Sequence, residues 1–222
     1  LALLEGVDVV FHQAGQPGVR SSWGSEFGVY LDANVAATQA LLEAARLHPQ
    51  LSRLVYASSS SVYGDAERFP TTELDRPAPI SPYGVTKLAA EHLCCLYASQ
   101  FGVPTVSLRY FTVFGPRQRP DMAFTRFLTA AAKGEPVTVF GTGEQVRDFT
   151  FVDDVVRANL LAATVPVKPG TVLNVAGGTN VSVNEVLEEI GGLAGSPVAV
   201  RRLARSDGDV ARTGGDASRA RE

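Results

Sequence analysis

Cysteine is scarce: Cys94 and Cys95 are the only two, and they are adjacent. That excludes a disulfide framework, and the pair has neither CxxC spacing nor the numbers for a zinc site, so a reduced, partly packed pair and no metal are expected. No apolar run approaches the roughly 20 residues that span a bilayer, and no basic head precedes an apolar targeting segment. A soluble, cytoplasmic protein with no membrane partner is therefore expected. Twenty Lys and Arg stand against 23 Asp and Glu, a net charge of -3, with no polybasic block. A nucleic-acid partner is poorly supported. A hydrophobic fraction of 45%, with 21 Gly and 13 Pro in no period, argues against disorder and collagen. Internal repeats and a GxGxxG motif are also lacking.

The 222 residues suit one large domain with a minor lobe. Hydrophobic patterning predicts strands at residues 7–11, 54–57, 105–110, 137–140 and 172–175. Helices are predicted at 30–47, 83–101, 124–132, 153–163 and 183–190, the last with polar capping candidates at 180–182. The Pro-rich stretch 70–82 reads as a surface connection. This alternation implies right-handed crossovers and a mainly parallel sheet, whose ligands sit beyond the carboxyl ends of the strands. Three segments then converge on one site: residues 12–15, residues 58–61, and the chain after Tyr110.

Tyr83-Gly-Val-Thr-Lys87 forms a YxxxK motif at a helix start. The spacing puts both side chains on one helical face, so the ammonium can lower the phenol pKa and also reach a ribose hydroxyl. A tyrosinate could take a proton from a substrate alcohol while hydride leaves for a nicotinamide, with Ser59 bonded to the same oxygen. Alone, a tyrosine and lysine four apart equally describe a packed or solvated helix edge. Joined to Ser58-Ser-Ser-Ser-Val-Tyr-Gly64, the pattern resembles the extended short-chain dehydrogenase/reductase superfamily, in particular its NAD-dependent sugar-nucleotide epimerases and dehydratases.

That resemblance implies an α/β, Rossmann-like NAD-binding parallel sheet with a small C-terminal substrate-binding lobe. Residues 1–115 would form the partial NAD-binding and catalytic domain, and 116–222 the remaining core elements with the sugar-nucleotide lobe. The chain reads as a fragment lacking the first βαβ elements, whose glycine motif needs an upstream segment of roughly 50 to 60 residues, and lacking the extreme C-terminus. Ser59, Tyr83 and Lys87 take the catalytic roles. His12, Ala14, Asn34, Ala57, Ser58 and Tyr110, with Tyr83 and Lys87, fall on the cofactor side; Gly15 replaces the family's usual Ala. Phe111, Arg119, Phe140, Arg147 and Asp209 join Ser59 on the substrate side, although Ser206 stands where the family often has an arginine, beside Arg205. Without the resemblance, His12 and Asn34 also read as local hydrogen bonders, Phe111 and Phe140 as core, Tyr63 as loop packing, and Arg119, Arg147 and Asp209 as surface charges.

Dehydratases of this type carry an acid pair after the hydroxyl residue, where Ser60 and Ser61 stand here. The pair, with LRYFTVFGPRQRPDMAF at 108–124, looks most like UDP-hexose 4-epimerases, of the UDP-glucose/UDP-galactose or UDP-glucuronate/UDP-galacturonate type, acting through a transient 4-keto sugar. The expected partners are NAD, a UDP-sugar and a second copy of the chain. The competing readings are a non-catalytic nucleotide-sugar-binding or scaffolding module, and a dehydratase or reductase.

Overall fold

The structure is a computed structural model that describes residues 4–222. Its elements, in chain order, are β1 (Val9–His12), α1 (Phe27–Tyr30), a π-helical turn (Leu31–Ala36) running into α2 (Ala37–Arg46), β2 (Arg53–Ser59) and α3 (Pro82–Phe101). Then come β3 (Thr105–Tyr110), β4 (Thr112–Phe114), α4 (Ala123–Lys133), β5 (Val137–Phe140), β6 (Val146–Arg147) and β7 (Phe149–Phe151). The chain ends through α5 (Val152–Thr164), β8 (Thr171–Val175), β9 (Val181–Ser182), α6 (Val183–Ala194), β10 (Val200–Leu203) and α7 (Ser218–Arg221).

The main sheet has the order β1-β2-β3-β8 and every pairing in it is parallel. All seven residues of β2 are buried because helices cover both faces of the sheet. Its alternation divides them: Leu54 and Tyr56 pack with Leu42, Ala90, Cys94 and Tyr97 of α2 and α3, whereas Val55 packs with Val106, Leu108, Val155 and Ala162 on the α5 side. Each such side chain, fully removed from water, contributes about 1.5–3 kcal/mol. Cys94 is thus core, as a small hydrophobe, and burial pushes its thiol pKa up.

A second, smaller core joins α4, β5 and α6 through Phe127, Val137, Val139, Val186, Leu187 and Ile190. The capping box of Ser182 and Glu185 starts α6. β10 pairs in parallel with β5, yet all four of its residues are exposed, so backbone pairing makes it a strand without any apolar alternation. That is why the pattern of VRRL did not predict it.

Stretch 70–82 is more than a surface connection. Thr71 is buried, and its backbone bonds to Gly214 and Asp216, so the stretch ties the C-terminal segment to the sheet. At its end Ser81 caps α3, accepting the Gly84 N–H at 3.1 Å, with Pro82 in the first turn. A Cβ on Gly84 would lie 2.6 Å from the Ser61 carbonyl oxygen. Glycine there lets α3 abut the serine loop.

Candidate active site

Parallel pairing sets the strand ends at one level: Ser59 opposes Tyr110, and Tyr110 opposes Val175. A cleft of about 600 Å³ opens beyond them, lined among others by Ser58, Ser59, Tyr83, Tyr110, Phe111, Arg119, Arg147 and Asp209. A smaller cavity of about 170 Å³ adjoins it, sharing Arg147 and Asp209 and adding Phe140 and Arg20. The structure therefore brings the predicted substrate-side residues together. His12, Asn34, Ala57 and Lys87 stand behind the cleft.

Ser59 ends β2, and its Oγ accepts the N–H of Ser61 at 3.1 Å. Burial raises the Tyr83 pKa; a side-chain hydrogen bond with Ser59 and the charge of Arg119 pull it back. Lys87 is not among the groups that move the Tyr83 pKa. The reason is geometric: Lys87 Nζ points into the sheet and donates to the Ala57 carbonyl at 2.8 Å.

Lys87 is buried without a carboxylate partner, and burial lowers its pKa to about 8. Among the described residues its ammonium makes that one hydrogen bond, which leaves two donors of a buried cation to be filled. That deficit fits the vicinal hydroxyls of a ribose. On the far side, Arg147 lies within the field of Arg20 and Arg205 as well as of Asp209 and Asp65. Three guanidiniums near two carboxylates fit a diphosphate. These two features make the residues compatible with a dinucleotide and a nucleotide sugar side by side.

Several predicted contacts take a different form. Asn34 is fully committed within the protein: its Oδ1 accepts the Gln16 N–H at 2.7 Å, and its Nδ2 donates to Gln16 O and Thr86 Oγ1, both at 3.0 Å. It fixes the turn after β1, with both amide hydrogens used inside the protein. Ser58 likewise gives its hydroxyl to Glu91 at 2.7 Å, so only its backbone serves the cleft. The Tyr110 hydroxyl donates to Asn159 Oδ1 at 2.9 Å, with Gln13 donating to both. Phe111 is almost wholly buried against Tyr63 and Val62, and its inner face is core. Arg119 grips Asp121 through two bonds of 3.1 and 2.9 Å at the exposed rim. Ala14 is exposed on the turn beside β1.

Arg20 escaped the sequence reading. Its guanidinium lies 4.0 Å from the centre of the Phe140 ring and pairs with Asp209 at 2.7 Å. No motif marks it. Arg205, next to the departing Ser206, folds back onto the Asp209 carbonyl at 2.6 Å. A signal did exist for the buried pair of Glu91 and Arg109: each is a charge flanked by apolar residues in an element that packs on the core, where opposite charges are commonly paired.

Comparison with known proteins places this geometry. The NAD dependent epimerase/dehydratase family matches residues 2–176. YtcB of Bacillus subtilis (strain 168), an uncharacterized UDP-glucose epimerase, is 44% identical over 221 residues, covering all of this chain and 69% of its own. The UDP-glucuronic acid 4-epimerase of Bacillus cereus, solved with UDP-glucuronic acid and NAD, superposes with a TM-score of 0.95 at 42% identity, over 99% of this chain and 69% of that one. MoeE5, solved with UDP-glucuronic acid and NAD, gives 0.94 at 46% identity, over 99% and 73%. The chain thus spans about two thirds of the length of the relatives it matches. With a parallel sheet, a Ser59–Tyr83–Lys87 constellation at its carboxyl edge and this match along most of its length, the chain belongs to the NAD dependent epimerase/dehydratase family.

Proposed function

We propose that the complete protein interconverts C4 epimers of a UDP-hexose, of the glucose/galactose or glucuronate/galacturonate type, with NAD as a bound cofactor. The observation that carries this reading is that Ser59 and Tyr83 line one cleft, while Lys87, one turn along the helix from Tyr83, donates to the Ala57 carbonyl two residues before Ser59. Relatives solved with UDP-sugars and NAD support the ligand classes.

Bound NAD supplies a hydride acceptor that later returns the same hydride. Tyr83 would act as the phenolate, its own proton first lost to solvent: it takes the 4-hydroxyl proton as the C4 hydride departs, holds the 4-keto oxygen together with the Ser59 hydroxyl, and gives the proton back once the sugar has turned over. Lys87, braced on Ala57, offers its remaining donors to a ribose. Arg147, with Arg20 nearby, anchors the diphosphate, so that the sugar pivots while the nucleotide stays fixed. Ser60 and Ser61 bring no acid or base beside Ser59, which favours epimerisation over elimination of water.

A homodimer through the helical layer of α2 and α3 belongs to the same proposal; the exposed apolar Val85 and Leu96 of α3 support it. Among the described residues, no helix is long and apolar enough to cross a membrane.

The test is product analysis by NMR after incubating the complete protein with UDP-galactose and with UDP-glucuronate, each with and without added NAD. A mixture of C4 epimers without accumulating NADH absorbance is expected. A dehydrated product, or NADH formed in proportion to substrate, would overturn the reading.

A further inference from the structure

Beneath the cleft runs a buried polar chain that the proposed chemistry does not use. Ser58 Oγ donates to Glu91 Oε2 at 2.7 Å. Arg109 clasps the same carboxylate, Nε to Oε2 at 2.9 Å and Nη2 to Oε1 at 2.6 Å. Its remaining arm, Nη1, donates to the Tyr63 hydroxyl at 2.6 Å, and that hydroxyl donates to Asn174 Oδ1 at 2.8 Å. Asn174 closes the chain by donating to the Thr71 carbonyl at 3.0 Å. All five side chains are almost fully buried.

What the chain holds is specific. Ser58 and Tyr63 are the residues on either side of the serine loop, 59–62, which carries Ser59 and the two serines that distinguish this site. Besides the pairing of Ser58 and Ser59 with β3, the side chain at one end is tied to Glu91 and that at the other to Arg109, so a single ion pair serves both. Inside the loop the local bonds are few: Ser61 N–H to Ser59 Oγ at 3.1 Å and Tyr63 N–H to Ser60 O at 3.1 Å. Such a short turn has little rigidity of its own. The pair also joins α3, one turn beyond Lys87, to β3, one residue before Tyr110. A two-armed guanidinium–carboxylate clasp is far stiffer than a single bond.

We propose that Glu91, Arg109 and Tyr63 are positioning residues that hold the serine loop at both ends and so set the place of the Ser59 hydroxyl against Tyr83. The kinetic side of this proposal rests on the epimerase reading above; its structural side does not. Tyr63→Phe is the sharpest variant, because it keeps the ring against Phe111 and removes only the hydroxyl. Ser58→Ala removes the side-chain tie at the other end and keeps the β2–β3 pairing.

In the complete protein, hydrogen exchange across residues 59–63 is expected to quicken about ten-fold in either variant, while β2 residues before the loop and β3 keep wild-type protection. The turnover number should fall about ten-fold with the KM for the UDP-sugar within about two-fold, because misplacement of a catalytic hydroxyl costs the transition state more than binding. If both ends are needed, the double variant should lose scarcely more than either single one. Unchanged exchange in the loop would overturn the proposal. So would uniformly faster exchange throughout the sheet with wild-type turnover by the folded fraction, which marks a role in stability alone. If the unaltered protein interconverts no UDP-sugar, the epimerase reading fails and the exchange measurement still decides the positioning role.

Discussion

His12 donates its Nε2 proton to the Thr38 hydroxyl at 2.8 Å, and the direction is fixed because Thr38 sends its own proton to the Asn34 carbonyl at 2.7 Å. A second proton would put a cation in a buried place near Lys87, and burial followed by that charge lowers the His12 pKa to about 4. The unfolded ring titrates near 6.5, so between these values the unfolded chain binds the extra proton and the folded one refuses it. The stabilisation is complete above pH 6.5 and is lost as the pH falls towards 4, on the order of 2–3 kcal/mol. Urea denaturation of wild type and His12→Gln at pH 7, 5.5 and 4.5 should show the wild type losing more stability than the variant. Equal losses would contradict the assignment.

Gly15 lies close against Asn34. A Cβ there would sit 2.8 Å from Asn34 Oδ1, an atom held by the Gln16 amide. Gly15→Ala should therefore destabilise the protein by about 1–2 kcal/mol, read as a lower urea midpoint at unchanged slope. A stabilised variant would show that the turn after β1 gives way freely.

The layout of the sheet was legible because every main-sheet strand is a short apolar run followed by a helical period, as in residues 105–110 and the helix at 153–163. The YxxxK spacing likewise identified Tyr83 and Lys87 as neighbours on one face. Spacing says nothing about where a flexible side chain points, however, and Lys87 turned to Ala57. The same limit hid the full commitment of Asn34 and Ser58, whose partners lie tens of residues away in sequence. Arg20 was invisible because a loop arginine beside Asp209 has no local pattern, and β10 because its residues bury nothing.

The proposed role of Arg147 is to anchor the diphosphate, not to react. Arg147→Met should raise the KM for a UDP-sugar at least about ten-fold and leave the turnover number within about three-fold, measured by coupled or NMR assay of the complete protein. A collapse of turnover at unchanged KM would place this residue in the chemistry instead.

Tyr83→Phe removes the hydroxyl proposed as proton acceptor and keeps the ring beside Tyr30, which meets it edge-on at 6.3 Å. Turnover should fall by about a thousand-fold or more, while the dissociation constant for UDP-glucose, measured by calorimetry, stays within about three-fold. Near wild-type turnover would remove Tyr83 from the role of base.

In the proposed reaction hydride leaves C4 and comes back to the same carbon without meeting water. Incubation of the complete protein with a UDP-sugar deuterated at C4 measures this directly. Epimerised product that keeps all its deuterium at C4 is the predicted result, and wash-out of the label into solvent would contradict the account.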